Sequence, residues 1–185
     1  MTVTVSPDHF SFVIFDAAVI ADTATALLEQ LGMTEHDIVI EVDETTPLAR
    51  IHATEGSPIV VHAESGAFED TKRPRHMSET AIATSLARVL LKARDRLDGT
   101  FGEAPADDDL SLAQIAAWDV YCVGRFHRLG YPVHQQRWRY NFRNRHGFTD
   151  SGDNSFDEIF GADRLTWGEM NHISDGAIAA KLAVS

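Results

Sequence analysis

With 185 residues, 44% of them hydrophobic, the chain can build one compact domain, with or without an extension, and is too apolar for a disordered majority. A net charge of −12 and a pI near 5.0 exclude non-specific nucleic-acid binding by the whole surface but allow a local basic groove. The single cysteine, Cys122, excludes an intramolecular disulfide and a Cys-based zinc site, and its place in a helical pattern predicts a buried small hydrophobe.

In chain order, the first apolar run spans 10–20. Arg50 is the first basic residue, and Asp16 and Asp22 interrupt the run, which fits neither a signal peptide nor a membrane anchor. A soluble, cytoplasmic protein without membrane contact is expected. Ser6 as N-cap, with Pro7 at the first helical position, predicts a helix over 7–31 stopped by Gly32. Phe10, Phe12, Val13, Ile14, Phe15, Val19 and Ile20 would surround much of that helix. A second buried face is therefore expected, at a homodimer interface or under the C-terminal part.

Alternating residues then predict strands over 38–43, 48–54 and 59–64, with turns at 44–47 and 55–58. In an antiparallel meander, Ile38, Ile40, Val42, Ile51, Ile59 and Val61 face the helices. On the other face Glu41, Arg50 and Glu64 line up, as do Val39, His52 and His62. His52, His62 and Glu64 could make a metal or acid/base site, but without an identifiable third ligand a solvated ion-pair ladder is preferred and no metal is expected. After a loop with Lys72, Arg73, Arg75 and His76, Ser78 caps a helix over 78–98, stopped by Gly99. The resulting α-β-β-β-α order over 7–98 resembles small secretion-chaperone-like domains and YbaB-type nucleoid-associated proteins. It rests on element order alone, so no functional residue is carried over. Metallopeptidases of the zincin type also place a helix after such a sheet, but 78–98 has no HExxH.

Residues 99–110 form an acidic linker in which Asp107, Asp108 and Asp109 are either solvated or counterions to a later arginine segment. Beyond it, 111–185 is expected to be mainly helical and to dock on 1–99. Ser111 and Gln114 make a capping box for a helix to Leu129, with Trp118 and Tyr121 in its core face. Ser155 with Glu158 and Thr166 with Glu169 predict two more helix starts.

Between these helices lies the most unusual stretch, QQRWRYNFRNRHG at 135–147. Its alternation of arginine and aromatic residues predicts an extended strand with Trp138, Tyr140 and Phe142 on one face and the guanidinium groups on the other. Residues 120–149 hold six Arg and no acid, against eight basic and 21 acidic residues before them and two and seven after them. The three parts carry −13, +6 and −5. Arg137, Trp138, Arg139, Tyr140, Arg143, Arg145 and His146 are therefore the candidate binding residues. Arg145, His146, Gly147 and Thr149 spell RHGxT, which resembles the phosphohistidine motif of histidine phosphatases; in that family an apolar strand precedes the motif and a long α/β domain follows it. Here the preceding stretch is rich in arginine and only 36 residues follow. The spacing of Asp150, Asp153, Asn154 and Asp157 misses the calcium-loop pattern. The tail 177–185 resembles the first helix and turn of a helix-turn-helix with no recognition helix after it, so DNA reading by that route is not expected.

The fold class expected is α+β: the α-β-β-β-α unit, then a mainly helical part with one Arg/aromatic strand. Without a phosphate-binding glycine loop or GxSxG elbow, neither a cofactor nor a catalytic residue is assigned. The leading function is a non-enzymatic protein-interaction or chaperone-like module acting on a protein partner or on itself as a homodimer. The alternative is binding of single-stranded nucleic acid or a phosphorylated ligand by stacking on the aromatics and pairing with the arginines. An enzyme, centred on the sheet histidines or His146, stands third.

Overall fold

Val3–Ser6 is a strand, β1, that ends on the residue expected to cap a helix over 7–31, and residues 7–16 are not helical. Its alternation of Thr and Val suits a pleated edge, and this outweighs the Ser-Pro capping signal. The first helix, α1 (Ala17–Leu31), begins only at Asp16, whose carboxylate accepts from the Ala18 amide at 2.9 Å, and it ends as expected at Gly32 in the left-handed region. Its buried residues are Ile20, Ala24, Leu27, Leu28 and Leu31, an ordinary one-sided stripe. The helix with apolar residues all round, which motivated self-association, therefore does not form. Phe12 and Ile14 instead lie in the preceding loop, both exposed.

The structure, a computed structural model, describes residues 1–183, and the chain divides into two units, one of residues 1–94 and one from Asp95 onward. In the first unit, β2 (Ile38–Asp43), β3 (Ile51–Ala53) and β4 (Ile59–Glu64) lie near their expected positions, but they do not form a three-stranded antiparallel meander. The sheet is mixed, ordered β1-β2-β4-β3, with β1, β2 and β4 parallel and β3 antiparallel to β4. The connection 44–50 is longer than a hairpin needs, so the chain passes the β4 position, forms β3 at the edge and turns back to pair β4 with β2. Thr46 anchors that connection by accepting from the Ser65 amide at 3.2 Å. Gly66 lets it pass: a Cβ there would stand 2.3 Å from the Pro47 carbonyl oxygen.

The sheet's buried face carries Ile38, Ile40, Val42, Ile59, Val61 and Ala63, and α1 packs beside β1. A two-stranded hairpin, β5 (Glu69–Asp70) and β6 (Arg73–Met77), occupies the expected basic loop. Helix α2 (Glu79–Leu97) follows, within a residue of expectation, with the Ser78 hydroxyl accepting from Ala81.

The second unit is helical: α3 (Leu112–Arg128), α4 (Gln135–His146), α5 (Asp150–Gly161) and α6 (Trp167–Ala183), with α3 touching the other three. The capping boxes at Ser111/Gln114 and Thr166/Glu169 form as expected. That at Ser155 does not: Thr149 caps α5 and Ser155 is buried inside it. The predicted Arg/aromatic strand is also overturned, because 135–146 is the helix α4. Trp118, Tyr121 and Cys122 are buried, and Trp118 Nε1 donates to Asp95, which also takes a two-pronged pair from Arg125 at 2.6 Å. Among the described residues, no helix is long and apolar enough to cross a membrane.

Candidate functional site

Winding 135–146 as a helix sorts its residues into three stripes. Trp138, Phe142 and His146, four apart, face inward: Phe142 and His146 are buried and Trp138 is half-buried. Arg139 and Arg143 form a second i,i+4 pair and meet Asp153 and Asp157, themselves four apart on α5. Arg143 Nε and Nη2 donate to Asp153 at 2.6 and 2.5 Å, while Arg139 donates to Asp157 and lies 3.5 Å from Asp153, its guanidinium 4.3 Å over the Phe156 ring. The hydrogen bond from Arg143 holds the Asp153 carboxyl below its ordinary range, and the same bond raises Arg143. Asp107 takes no part, being paired with Arg96 at 2.7 Å.

The third stripe faces solvent: Arg137, Tyr140, Asn141, Asn144, Arg145 and, just past the helix, Phe148. Tyr140 and Phe148 are 58% and 62% exposed and meet edge-on at 5.8 Å. Among the described residues, neither Arg137 nor Arg145 has an acidic side-chain partner. Of the seven candidate residues, the structure thus places Arg137, Tyr140 and Arg145 together on an open face. Arg139 and Arg143 are engaged internally, Trp138 is half-buried and His146 is enclosed. Phe148 and Asn144 were missed; helical spacing counted from Arg137 and Tyr140 would have found both.

His146 cannot act as a phosphate-accepting nucleophile here. Its ring stacks on Phe142 at 3.7 Å, one nitrogen bonds the Phe142 carbonyl at 3.0 Å and the other the Ser174 hydroxyl at 2.8 Å. Since Nδ1 meets a carbonyl, it carries the proton, and Nε2 accepts from Ser174. Burial pushes the His146 pKa below its ordinary 6.5. RHGxT is therefore a packing motif in this chain. Asp150, Asp153, Asn154 and Asp157 lie on α5 and form no loop, and 177–183 continues α6, while the last two residues of the predicted helix-turn-helix tail lie outside the described ones.

A second polar constellation lies on the open sheet face of the first unit. The registers set Ser6 beside Glu41, Glu41 beside His62 and His62 opposite His52, one row across four strands. The His52–His62 opposition and the Arg50–Glu64 contact, at 3.7 Å, are as expected. Glu41, however, sits with the histidines because β2 runs parallel to β4: its Oε2 is 2.9 Å from His62 Nδ1. This row lines an open cleft of about 650 Å3 with Ser6, Pro7, Asp43 and Glu64. Among the described residues, no three His, Cys, Asp or Glu side chains converge to hold a metal ion. No protein-family model matches the sequence, and no curated protein or solved structure matches it either.

Proposed function

We propose that the protein is a non-enzymatic interaction module whose α4 surface takes an acidic protein segment. The observation that carries this is the exposed stripe: Arg137 and Arg145, without acidic side-chain partners among the described residues, lie beside two touching aromatics, Tyr140 and Phe148, that are more than half exposed. Aromatic rings beside guanidinium groups are what interface hot spots are made of. The stripe lies in a chain of net charge −12, so a second copy also presents acidic surface, and homodimerisation through this face is a form of the same proposal.

Single-stranded nucleic acid fits the surface less well. Of the arginines assigned to phosphates, Arg139 and Arg143 are neutralised by Asp153 and Asp157, and these carboxylates would repel a phosphate backbone. The separating experiment measures fluorescence anisotropy with a labelled Glu-rich peptide containing leucine and with a labelled oligothymidylate, at equal salt. The peptide binds more tightly, and Arg137→Glu/Arg145→Glu weakens it at least tenfold without changing the helical content. Tighter binding of the oligonucleotide transfers the surface to nucleic acid. No binding of either, in a protein that sediments as a monomer, ends the proposal.

A further inference from the structure

We propose that His52 and His62 form an exchangeable site for a divalent first-row transition metal ion, with Cu2+ favoured, water completing the coordination and Glu41 orienting His62. Three observations lead there. The register sets the two histidines directly opposite on antiparallel β3 and β4, their ring centres 4.9 Å apart. With metal–nitrogen bonds of about 2.0–2.1 Å, two imidazoles at neighbouring coordination positions have centres roughly 4.5–5 Å apart. The backbone therefore holds the pair at a spacing one ion can bridge.

The second observation is the contact of His62 Nδ1 with Glu41 Oε2 at 2.9 Å. A carboxylate on one ring nitrogen fixes the tautomer with the proton on Nδ1, leaving the Nε2 lone pair for a metal. The rings are 28° from parallel, so His52 must turn about its Cβ–Cγ bond to aim a nitrogen at the same ion. It is exposed, and neither of its nitrogens is hydrogen-bonded among the described residues, so it can do so. Third, the pair opens into the cleft with Ser6, Asp43 and Glu64, which leaves room for water ligands. Because no third protein ligand converges among the described residues, the site is labile and unlike a closed structural zinc centre. Two imidazoles without thiolate, and open positions, rank Cu2+ above Ni2+ and Zn2+.

The test titrates the full chain with Cu2+ in glycine-containing buffer, read by calorimetry and electron paramagnetic resonance. One equivalent binds more tightly than the rest, with hyperfine structure from two imidazole nitrogens. His52→Ala and His62→Ala each abolish that signal, Glu41→Gln weakens binding about tenfold or more, and His9→Ala/His134→Ala leaves it unchanged. The variants change solvent-facing rings, and an unaltered circular dichroism spectrum verifies their fold. Retention of the tight equivalent in His52→Ala/His62→Ala, its loss in the His9/His134 control, or no tight equivalent in the wild type would each overturn the assignment.

Discussion

Reversing the charge at Arg139 and at Arg137, two positions apart on one helix, separates an internal counterion from a free surface cation. Arg139 is 15% exposed, lies over Phe156 and pairs with Asp153 and Asp157. Arg139→Glu removes the stacking, about 0.5–1 kcal/mol at a partly exposed site, and two partly solvated ion pairs, about 0.2–1 kcal/mol each. It also brings a third carboxylate to two others. Like charges near 4 Å repel by about 1 kcal/mol in water and about 4 kcal/mol at an effective dielectric near 20, and the 57% exposure of Asp157 favours the lower figure. The total is about 2–4 kcal/mol. Arg137→Glu touches no such group and should stay within about 0.5 kcal/mol. All three tryptophans, Trp118, Trp138 and Trp167, belong to the second unit, so urea denaturation followed by tryptophan fluorescence reports the unfolding of that unit. Adding Asp157→Arg to Arg139→Glu should recover part of the loss. Equal midpoints for Arg137→Glu and Arg139→Glu would refute the division of α4 into an inner and an outer set of arginines.

Gly124 faces α5 so closely that a Cβ would stand 2.1 Å from the Phe160 carbonyl oxygen, so Gly124→Ala should destabilise the second unit by at least about 1–3 kcal/mol. Gly176, exposed on α6 with nothing within 4 Å of its Cβ position, is the counterpart, and Gly176→Ala should stabilise by about 0.5–1 kcal/mol in the same urea assay. The lowered pKa of buried His146 gives a pH test. The unfolded chain takes up this proton near 6.5 and the folded chain only lower, with Lys181 opposing the charge and Asp175 favouring it. The stabilisation is thus complete above about pH 6.5 and is lost as pH falls from there towards the folded pKa. His146→Gln should remove that part of the slope between about pH 7 and 5, and an unchanged slope would refute it.

Local signals that act within a few residues were legible in the sequence. The Ser111/Gln114 and Thr166/Glu169 boxes, the Gly32 stop and the apolar alternation of 38–43 and 59–64 all correspond to observed features. Strand order was not legible, because alternation specifies which face is buried and says nothing about the neighbour. The turn expected at 44–47 is in the structure a connection over 44–50, because β3 begins only at Ile51. The same limit governs the sheet constellation. His52 and His62 meet in either topology, since their hairpin is local, whereas Glu41 joins them only when β2 runs parallel to β4.

The stretch 135–147 departs from the predicted strand for a different reason. Its residues satisfy period two and period four at once, and only partners elsewhere in the chain choose between them. Period two puts Trp138, Tyr140 and Phe142 together but leaves every arginine facing one way with no acid near in sequence. Period four buries Trp138 with Phe142 and His146 and sets Arg139 and Arg143 against Asp153 and Asp157, whose own spacing of four matches a helix. The aspartates that failed as a calcium loop are thus the missing half of the arginine pattern. Matching the two spacings would have predicted both helices and their contact. What this pairing leaves unneutralised, Arg137 and Arg145 beside Tyr140 and Phe148, is defined by subtraction. The partner proposed for this face, a carboxylate-bearing protein segment, would bring negative charge for two guanidinium groups and apolar surface for two rings.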